Sequence, residues 1–248
     1  MRTVAYDGAS ATVIARRLSL PRVVLFATTT STMDEAHKLA EKGAPAGTLV
    51  VSDEQTAGRG RNGARWMSRT GSSVMFTLIE RPRHADALGV LSLRVGLGAA
   101  AALDEIAGET IRLKWPNDLF VADRKIAGVL VETRWRDGRA DWAAIAMGIN
   151  IGHPPAGLPN AGGLPGHASR IAVLEAAVRA ARTAAAASGR LTAAERAKWA
   201  ARDWLAGKRV SEPLQGVVRG ILATGELVVE TAAGPQPVNS GTVTLEAQ

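Results

Sequence analysis

The chain has 248 residues, 46% of them hydrophobic and 21% charged, the make-up of a globular protein that can bury a sizeable core. It holds no cysteine, which excludes a disulfide framework, thiolate metal sites and a cysteine nucleophile. Its formal charge of +7 favours anionic partners such as nucleotide phosphate, nucleic acid or an acidic protein surface, although a merely arginine-rich composition gives the same balance.

In chain order, residues 1–21 are weakly patterned and lack the apolar run of a secretory signal. Residues 23–26 read as a strand. Thr32-Met33-Asp34-Glu35 is a capping box that opens a helix with Met33, Ala36, Leu39 and Ala40 on one side and Gly43 at its end. Residues 49–52 form a second strand, a Gly/Arg-rich loop runs over 56–71, and 73–79 is a third strand. Leu88, Leu91, Val95, Ala99, Ala102, Leu103 and Ile106 mark one long helix ended by Gly108. No stretch reaches the roughly 18 apolar residues of a membrane span, so a cytoplasmic protein without membrane contact is expected.

Three strands follow, 111–114, 126–133 and 142–149, with Arg136-Asp137-Gly138 as a hairpin turn. After a Pro/Gly-rich loop over 150–166 come two Ala-rich helices, 170–187 and 192–205. From Gly207 onward short β runs at 209–210, 216–222, 227–230 and 242–245 suit a small all-β barrel. The domain boundary is therefore set there, giving units 1–206 and 207–248.

The segment Gln55-Thr56-Ala57-Gly58-Arg59-Gly60-Arg61-Asn62-Gly63-Ala64-Arg65-Trp66 matches the spacing of a dinucleotide-binding loop. No apolar helical stripe follows it, so a dinucleotide fold fails on context. What the loop offers is Arg59, Arg61 and Arg65 between glycines: fixed guanidinium charge for a phosphoryl group, on backbone that approaches an anion closely. Taken alone, a flexible basic surface loop is the less favoured account of it. Lys114-Trp115-Pro116-Asn117-Asp118 displays Asn117 and Asp118 at a strand end, or is simply a turn built from its usual residues. In Arg124-Lys125-Ile126-Ala127-Gly128-Val129-Leu130-Val131-Glu132, strand alternation puts Lys125 at the rim of a small-residue face and Gly128 leaves room for close approach. A lysine there would stabilise negative charge on a phosphate or carbonyl oxygen, and a solvated turn lysine is the simpler account of that cluster by itself.

In order and spacing these clusters, followed by Gly148-Ile149-Asn150, resemble the catalytic domain of biotin–protein ligases over about residues 23–152. The resemblance implies an α+β fold, a mixed sheet with helices packed on one side, and a C-terminal SH3-like β-barrel. It implies activation of biotin by ATP, with Mg²⁺, as biotinyl-5'-AMP, then transfer to a lysine of a biotin carboxyl carrier protein domain. No prosthetic group is expected. Ser31 and Thr32 match a pair that contacts the biotin ureido group, and Gln55 a glutamine at the biotin site. Arg59, Gly60 and Arg61 match the part of the loop that closes over biotin and the adenylate phosphate. Lys125 matches the lysine on the acyl and phosphate oxygens, with Gly128 beside it, and Trp66 the aromatic covering the adenine. Gly58, Asn117 and Asn150 go with the nucleotide. Asp118 is expected to orient or deprotonate the incoming lysine, so Lys125, Arg61 and Asp118 are the expected catalytic residues. Two positions depart from the pattern: Met33 stands where the family often has asparagine, and Ala64 where arginine is common, leaving Arg65 as a substitute.

Only about 20 residues precede the first predicted strand, too few for the winged helix of repressor members, so no sequence-specific DNA binding is expected. Monomer and homodimer stay open. The alternatives are a lipoate ligase or octanoyl transferase of the same fold, a non-enzymatic basic module binding nucleic acid, and a degenerate ligase that binds biotin without transferring it. The histidines at 37, 84, 153 and 167 show no metal-ligand spacing, and no protein-built metal site is expected.

Overall fold

Leu49–Val51, Val74–Phe76 and Leu78-Ile79 are apolar on successive residues, so both faces of the strands Thr48–Gln55 and Ser73–Glu80 must be covered there. In the computed structural model, which describes residues 5–154 and 157–246, they lie inside a seven-stranded mixed sheet. Residues 1–4 of the weakly patterned N-terminal segment and 155–156 of the Pro/Gly-rich loop fall outside the described residues.

The chain opens with a short hairpin, β1 (Ala5–Tyr6) and β2 (Ala9–Ser10), then α1 (Ala11–Leu18), β3 (Arg22–Thr29), α2 (Thr32–Glu41), β4 (Thr48–Gln55) and β5 (Ser73–Glu80). It continues through α3 (Leu91–Ala107), β6 (Arg112–Lys114), β7 (Asp118–Val121), β8 (Arg124–Arg136), β9 (Arg139–Asn150), α4 (Arg170–Ala186) and α5 (Ala193–Ala200). The sheet order is β3-β4-β5-β9-β8-β7-β6, with β3 and β4 parallel and every other neighbouring pair antiparallel.

Strand alternation sorts the core. Leu49, Val51, Val74, Phe76, Leu78, Val129 and Ile145 pack with α1, α3 and α4. Val50, Ile79, Trp142 and Ala144 pack with Met33, Ala36 and Ala40 of α2. The expectation of helices on one side is thus corrected: α2 covers the opposite face, because its short apolar stripe needs the surface the larger helices leave free. The segment Ala85–Ala107 is, by length and mean composition alone, long and apolar enough to cross a membrane, but Asp86, Arg94, Asp104 and Glu105 interrupt it. Here it contains the central core helix α3, with Val95, Ala99 and Leu103 fully buried.

Several local details differ from expectation. Ser31, not Thr32, caps α2, its hydroxyl accepting from Met33 N at 3.2 Å. The weak N-terminal pattern hides α1, which buries only Ile14 and Leu18. The turn after Lys114 runs straight into β7, which pairs with β6 and β8. Helix α5 stops at Ala200 because the chain beyond it adds to the sheet edge: Leu113 N donates to Arg202 O and Trp204 N to Leu113 O, both at 2.8 Å.

The C-terminal segment is a five-stranded antiparallel sheet: β10 (Arg209–Glu212), β11 (Gly216–Ile221), β12 (Leu227–Thr231), β13 (Gly234–Val238) and β14 (Thr244–Leu245), in the order β13-β12-β11-β10-β14. β13 carries Pro235 and Pro237, which explains both its absence from the sequence reading and its place at an edge. The Trp115 indole donates to Gly225 O at 2.8 Å, tying this sheet to the turn before β7.

Candidate active site

Two adjoining hollows share one wall. The narrow one, about 30 Å³, is lined by Ser31, Thr32, Met33, Gln55, Arg59, Trp66, Gly128, Leu130, Ala146, Met147 and Gly148. Its polar end is built by a chain of hydrogen bonds. The Thr77 hydroxyl donates to Thr32 Oγ1 at 2.9 Å, and Thr32 donates through both its backbone N–H (2.7 Å) and its hydroxyl (3.1 Å) to Gln55 Oε1. Gln55 Nε2 meets only the Met75 sulfur, at 3.2 Å, a weak acceptor that leaves the amide group ready to donate. Met33 is fully buried and contributes an apolar wall, so the polar contact that asparagine would offer is replaced by packing.

The wide hollow, about 550 Å³, is in the size range of small-molecule sites. Gly60–Trp66 form one side, Lys114–Asp118 and Lys125 another, and Gly241, Thr242 and Val243 of the C-terminal sheet close a third. Lys125 Nζ lies 2.6 Å from Asp118 Oδ1. Asn117 is pinned by its side-chain donation to Val129 O at 2.8 Å, and its oxygen accepts from Arg61 at 3.5 Å. Burial lowers the Arg61 pKa against the opposing pull of Asp118, and burial lowers that of Lys114 too, with Asp118 opposing and Lys125 reinforcing. The hollow therefore concentrates partly desolvated positive charge around one carboxylate, an arrangement that stabilises a phosphoryl group.

The Gly/Arg segment is an ordered hairpin. Asn62 (φ 53°, ψ 36°) and Gly63 (φ 76°) form its turn, Gly60 N donates to Ala64 O at 2.7 Å and Trp66 N to Gly58 O at 2.9 Å. The Asn-Gly pair is a signal the sequence reading passed over. Gly58 is required by close approach, since a Cβ there would sit 2.5 Å from Trp66 O. Trp66 stands between the two hollows with its indole flat against Gly148, where a Cβ would fall 2.3 Å from the ring.

Most expected residues thus meet: Ser31, Thr32, Met33, Gln55 and Arg59 at the narrow hollow, Gly60, Arg61, Asn117, Asp118 and Lys125 at the wide one, Gly128 and Trp66 at both. Gly58 lines neither hollow and acts through the hairpin backbone, and Asn150 stands apart. It is buried, and its amide donates to Gly162 O at 2.9 Å, bracing the loop whose Asn160 O accepts from Lys125 N. Arg65 donates to Thr56 O at 3.0 Å, inside the hairpin. Sequence reasoning quoted Gly148 only as part of Gly148-Ile149-Asn150, without a site role, and missed Ala146 and the strip 241–243, which no local pattern marks. A larger groove of about 760 Å³ between α3, α4 and α5 is lined by alanines and by arginines already engaged, Arg94 with Glu195 and Arg202 with Asp104. Among the described residues no group of three or more His, Asp or Glu is placed to hold a metal ion.

The chain is 38% identical over 131 residues to the bifunctional ligase/repressor BirA of Bacillus subtilis, covering 52% of this chain and 40% of that protein. It is 37% identical over 145 residues to a biotin–[acetyl-CoA-carboxylase] ligase of Paracoccus denitrificans, covering 57% of this chain and 60% of that one. The chain thus spans less than two thirds of the length of these curated relatives. In three dimensions it is similar to a biotin protein ligase from Aquifex aeolicus solved with biotin and ATP, with a TM-score of 0.74 at 24% identity over 92% of this chain and 100% of that one, a likeness of fold. The sequence profile of the biotin/lipoate A/B protein ligase family matches residues 25–151, and the chain belongs to that family.

Proposed function

We propose that the chain is a biotin–protein ligase that forms biotinyl-5'-AMP from biotin and ATP and then biotinylates a lysine of a biotin carboxyl carrier domain. The observation that carries this is the Lys125–Asp118 pair, 2.6 Å apart, at the meeting of a narrow apolar slot with a hydrogen-bonding end and a wide basic cleft. The lining of the slot, rather than its volume of about 30 Å³, matches biotin's bicyclic ring, so the ring enters only as the walls give: Gln55 and Ser31 offer donors to a ureido oxygen, while Met33, Leu130 and Ala146 meet the apolar body. The nucleotide occupies the wide cleft, with Arg61 and Lys125 toward its phosphates and Trp66 as a stacking surface.

In the first step a biotin carboxylate oxygen attacks the α-phosphorus and pyrophosphate leaves with the bonding pair. Arg61 and Lys125 spread the charge that builds on the phosphoryl oxygens. Mg²⁺ would enter with the triphosphate, and the oxygens of Asp118 and Asn117 are of the kind a hard cation takes. In the second step the carrier lysine, as neutral amine, attacks the acyl carbon, AMP departs and Asp118 accepts the amine proton. No protein nucleophile is required, consistent with the absence of cysteine.

We further assign residues 207–248 to a separate SH3-like domain that borders the nucleotide cleft through Thr242. Only the ligase activity is carried over from the ligase/repressor relatives. The test is pyrophosphate–ATP exchange by the purified protein with biotin, lipoate or octanoate supplied in turn. Exchange with biotin alone supports the reading. Exchange with lipoate or octanoate moves the chain to the lipoate side of its family, and none with any acid overturns a ligase.

A further inference from the structure

The two arginines of the hairpin have different surroundings. Arg61 has one long contact, to Asn117 at 3.5 Å, and faces the wide cleft. Arg59 is committed elsewhere: one amino group donates to Asp34 Oδ1 at 2.8 Å and the other to Glu132 Oε1 at 2.6 Å. The second Glu132 oxygen lies 3.0 Å from His37 Nε2, and the Trp142 indole N–H points at His37 Nδ1 at 3.0 Å. An indole nitrogen can only donate, so Nδ1 accepts and the imidazole proton sits on Nε2, aimed at Glu132. His37 and Trp142 are buried, so the far end of this chain is fixed by the core between α2 and β9.

We propose that Arg59 is the fastener of the hairpin rather than a ligand-binding arginine, and that Glu132 and Asp34 are the positioning residues that hold it, with His37 and Trp142 orienting Glu132. Two carboxylates already balance the Arg59 charge and take both terminal amino groups, leaving Arg61 and Lys125 to meet phosphate. Fastening Arg59 to α2 and β8 lays the hairpin across the narrow slot, and the Trp66 N–H to Gly58 O bond carries that constraint to the indole on the slot wall. Isolated ion pairs on a surface contribute little, but here a forked guanidinium joins three elements and one carboxylate is oriented from behind by a buried histidine. The substrate side of this inference rests on the biotin-ligase reading; the fastening itself does not.

The experiment has two readouts. Limited trypsin digestion of the folded protein, without substrates, reports on hairpin opening through cleavage after Arg61 and Arg65. Glu132→Gln and Asp34→Asn should each speed that cleavage about tenfold, the change expected for loss of one charge-assisted hydrogen bond, with the thermal melt of the remaining chain in place. Asp34 is on the surface, so its variant folds even if Glu132→Gln does not. Unchanged cleavage in Asp34→Asn overturns the proposal, whatever the activity of the protein. In biotin-dependent pyrophosphate exchange, both variants should raise KM for biotin about tenfold and leave KM for ATP unchanged. A double-mutant cycle then separates fastener from ligand contact. Arg59→Gln added to Glu132→Gln should cost little more, whereas fully additive losses would show Arg59 acting on the ligand and overturn the proposal. Faster cleavage in a protein that exchanges with none of the acids would leave the fastener standing and the biotin reading fallen.

Discussion

The Lys125 ammonium lies 2.6 Å from the Asp118 carboxylate, and both side chains stand over Gly128, where a Cβ would meet them in ordinary contact at 3.5 Å. The register of β7 on β8 sets Asp118 opposite Gly128, and a shift in that register just before Lys125 brings the lysine to the same place. Each partner therefore conditions the other. The carboxylate aims the ammonium into the cleft, and the ammonium holds the carboxylate in place beside it.

This pair should divide the two half-reactions. Lys125→Ala is expected to lower biotin-dependent pyrophosphate exchange by about 10²–10³, the scale for removing one group that stabilises transition-state charge. Asp118→Asn should lower exchange too, because Lys125 loses the carboxylate that aims it, and lower transfer to a carrier domain by a further factor of about 10², the scale for a lost general base. Measuring exchange and carrier biotinylation separately decides the matter. Equal losses in both assays for both variants would show that the pair acts as one unit.

The contact between Trp66 and Gly148 predicts a stability effect with a specific rescue. Gly148→Ala places a methyl 2.3 to 2.7 Å from three indole atoms, so the ring must leave its position. Overpacking of this kind costs about 1–3 kcal/mol in urea unfolding. Trp66→Ala in the same chain should return most of it, a non-additivity that the double-mutant cycle reads directly. Gly148→Ala should also weaken binding at both hollows, since Trp66 borders each.

Acid stability should depend on Glu195. Its hydrogen bonds with the Arg94 guanidinium, against the opposing effect of burial and with help from the Thr192 backbone and hydroxyl, hold its pKa at about 2, below the ordinary 4.5. A carboxylate depressed in the folded state contributes stability that is present above the unfolded value and lost as pH falls through the folded one. The window is therefore from about 4.5 down to about 2. Glu195→Gln should lower stability by about 2 kcal/mol at pH 7, after allowance for partial exposure, and flatten the acid limb of the stability curve. Urea midpoints of the two proteins should converge toward pH 2; a constant gap down to that pH would rule out the ionic origin.

Much of the site was legible because it is local. The Gly-Arg-Gly-Arg run, the turn at Asn117-Asp118 and the rim position of Lys125 follow from residue types within a few positions of one another, and all border the hollows. The elements missed were those whose cause is distant. Helix α1 has too narrow an apolar stripe to be seen without the β3 and α4 surfaces it packs on, and β13 is a strand despite two prolines because only one of its edges needs pairing. Helix α5 ends early because Leu113, far away in sequence, takes the backbone of Arg202 and Trp204.

The sequence by itself determined the chemical inventory and the local signals: the start of α2 to within one residue, the left-handed turn at Asn62-Gly63, and three arginines set among glycines in one loop. Only the tertiary structure separated those arginines. Asp34 and Glu132 are 25 and 73 residues from Arg59, and it is the packing of α2 across the sheet that brings both within hydrogen-bonding distance. It likewise turned Asn150 inward to Gly162 and set Trp66 on Gly148. Local propensity specifies what a residue offers, but a charge or an indole takes its role from the neighbours that burial assembles around it, and those come from the whole chain.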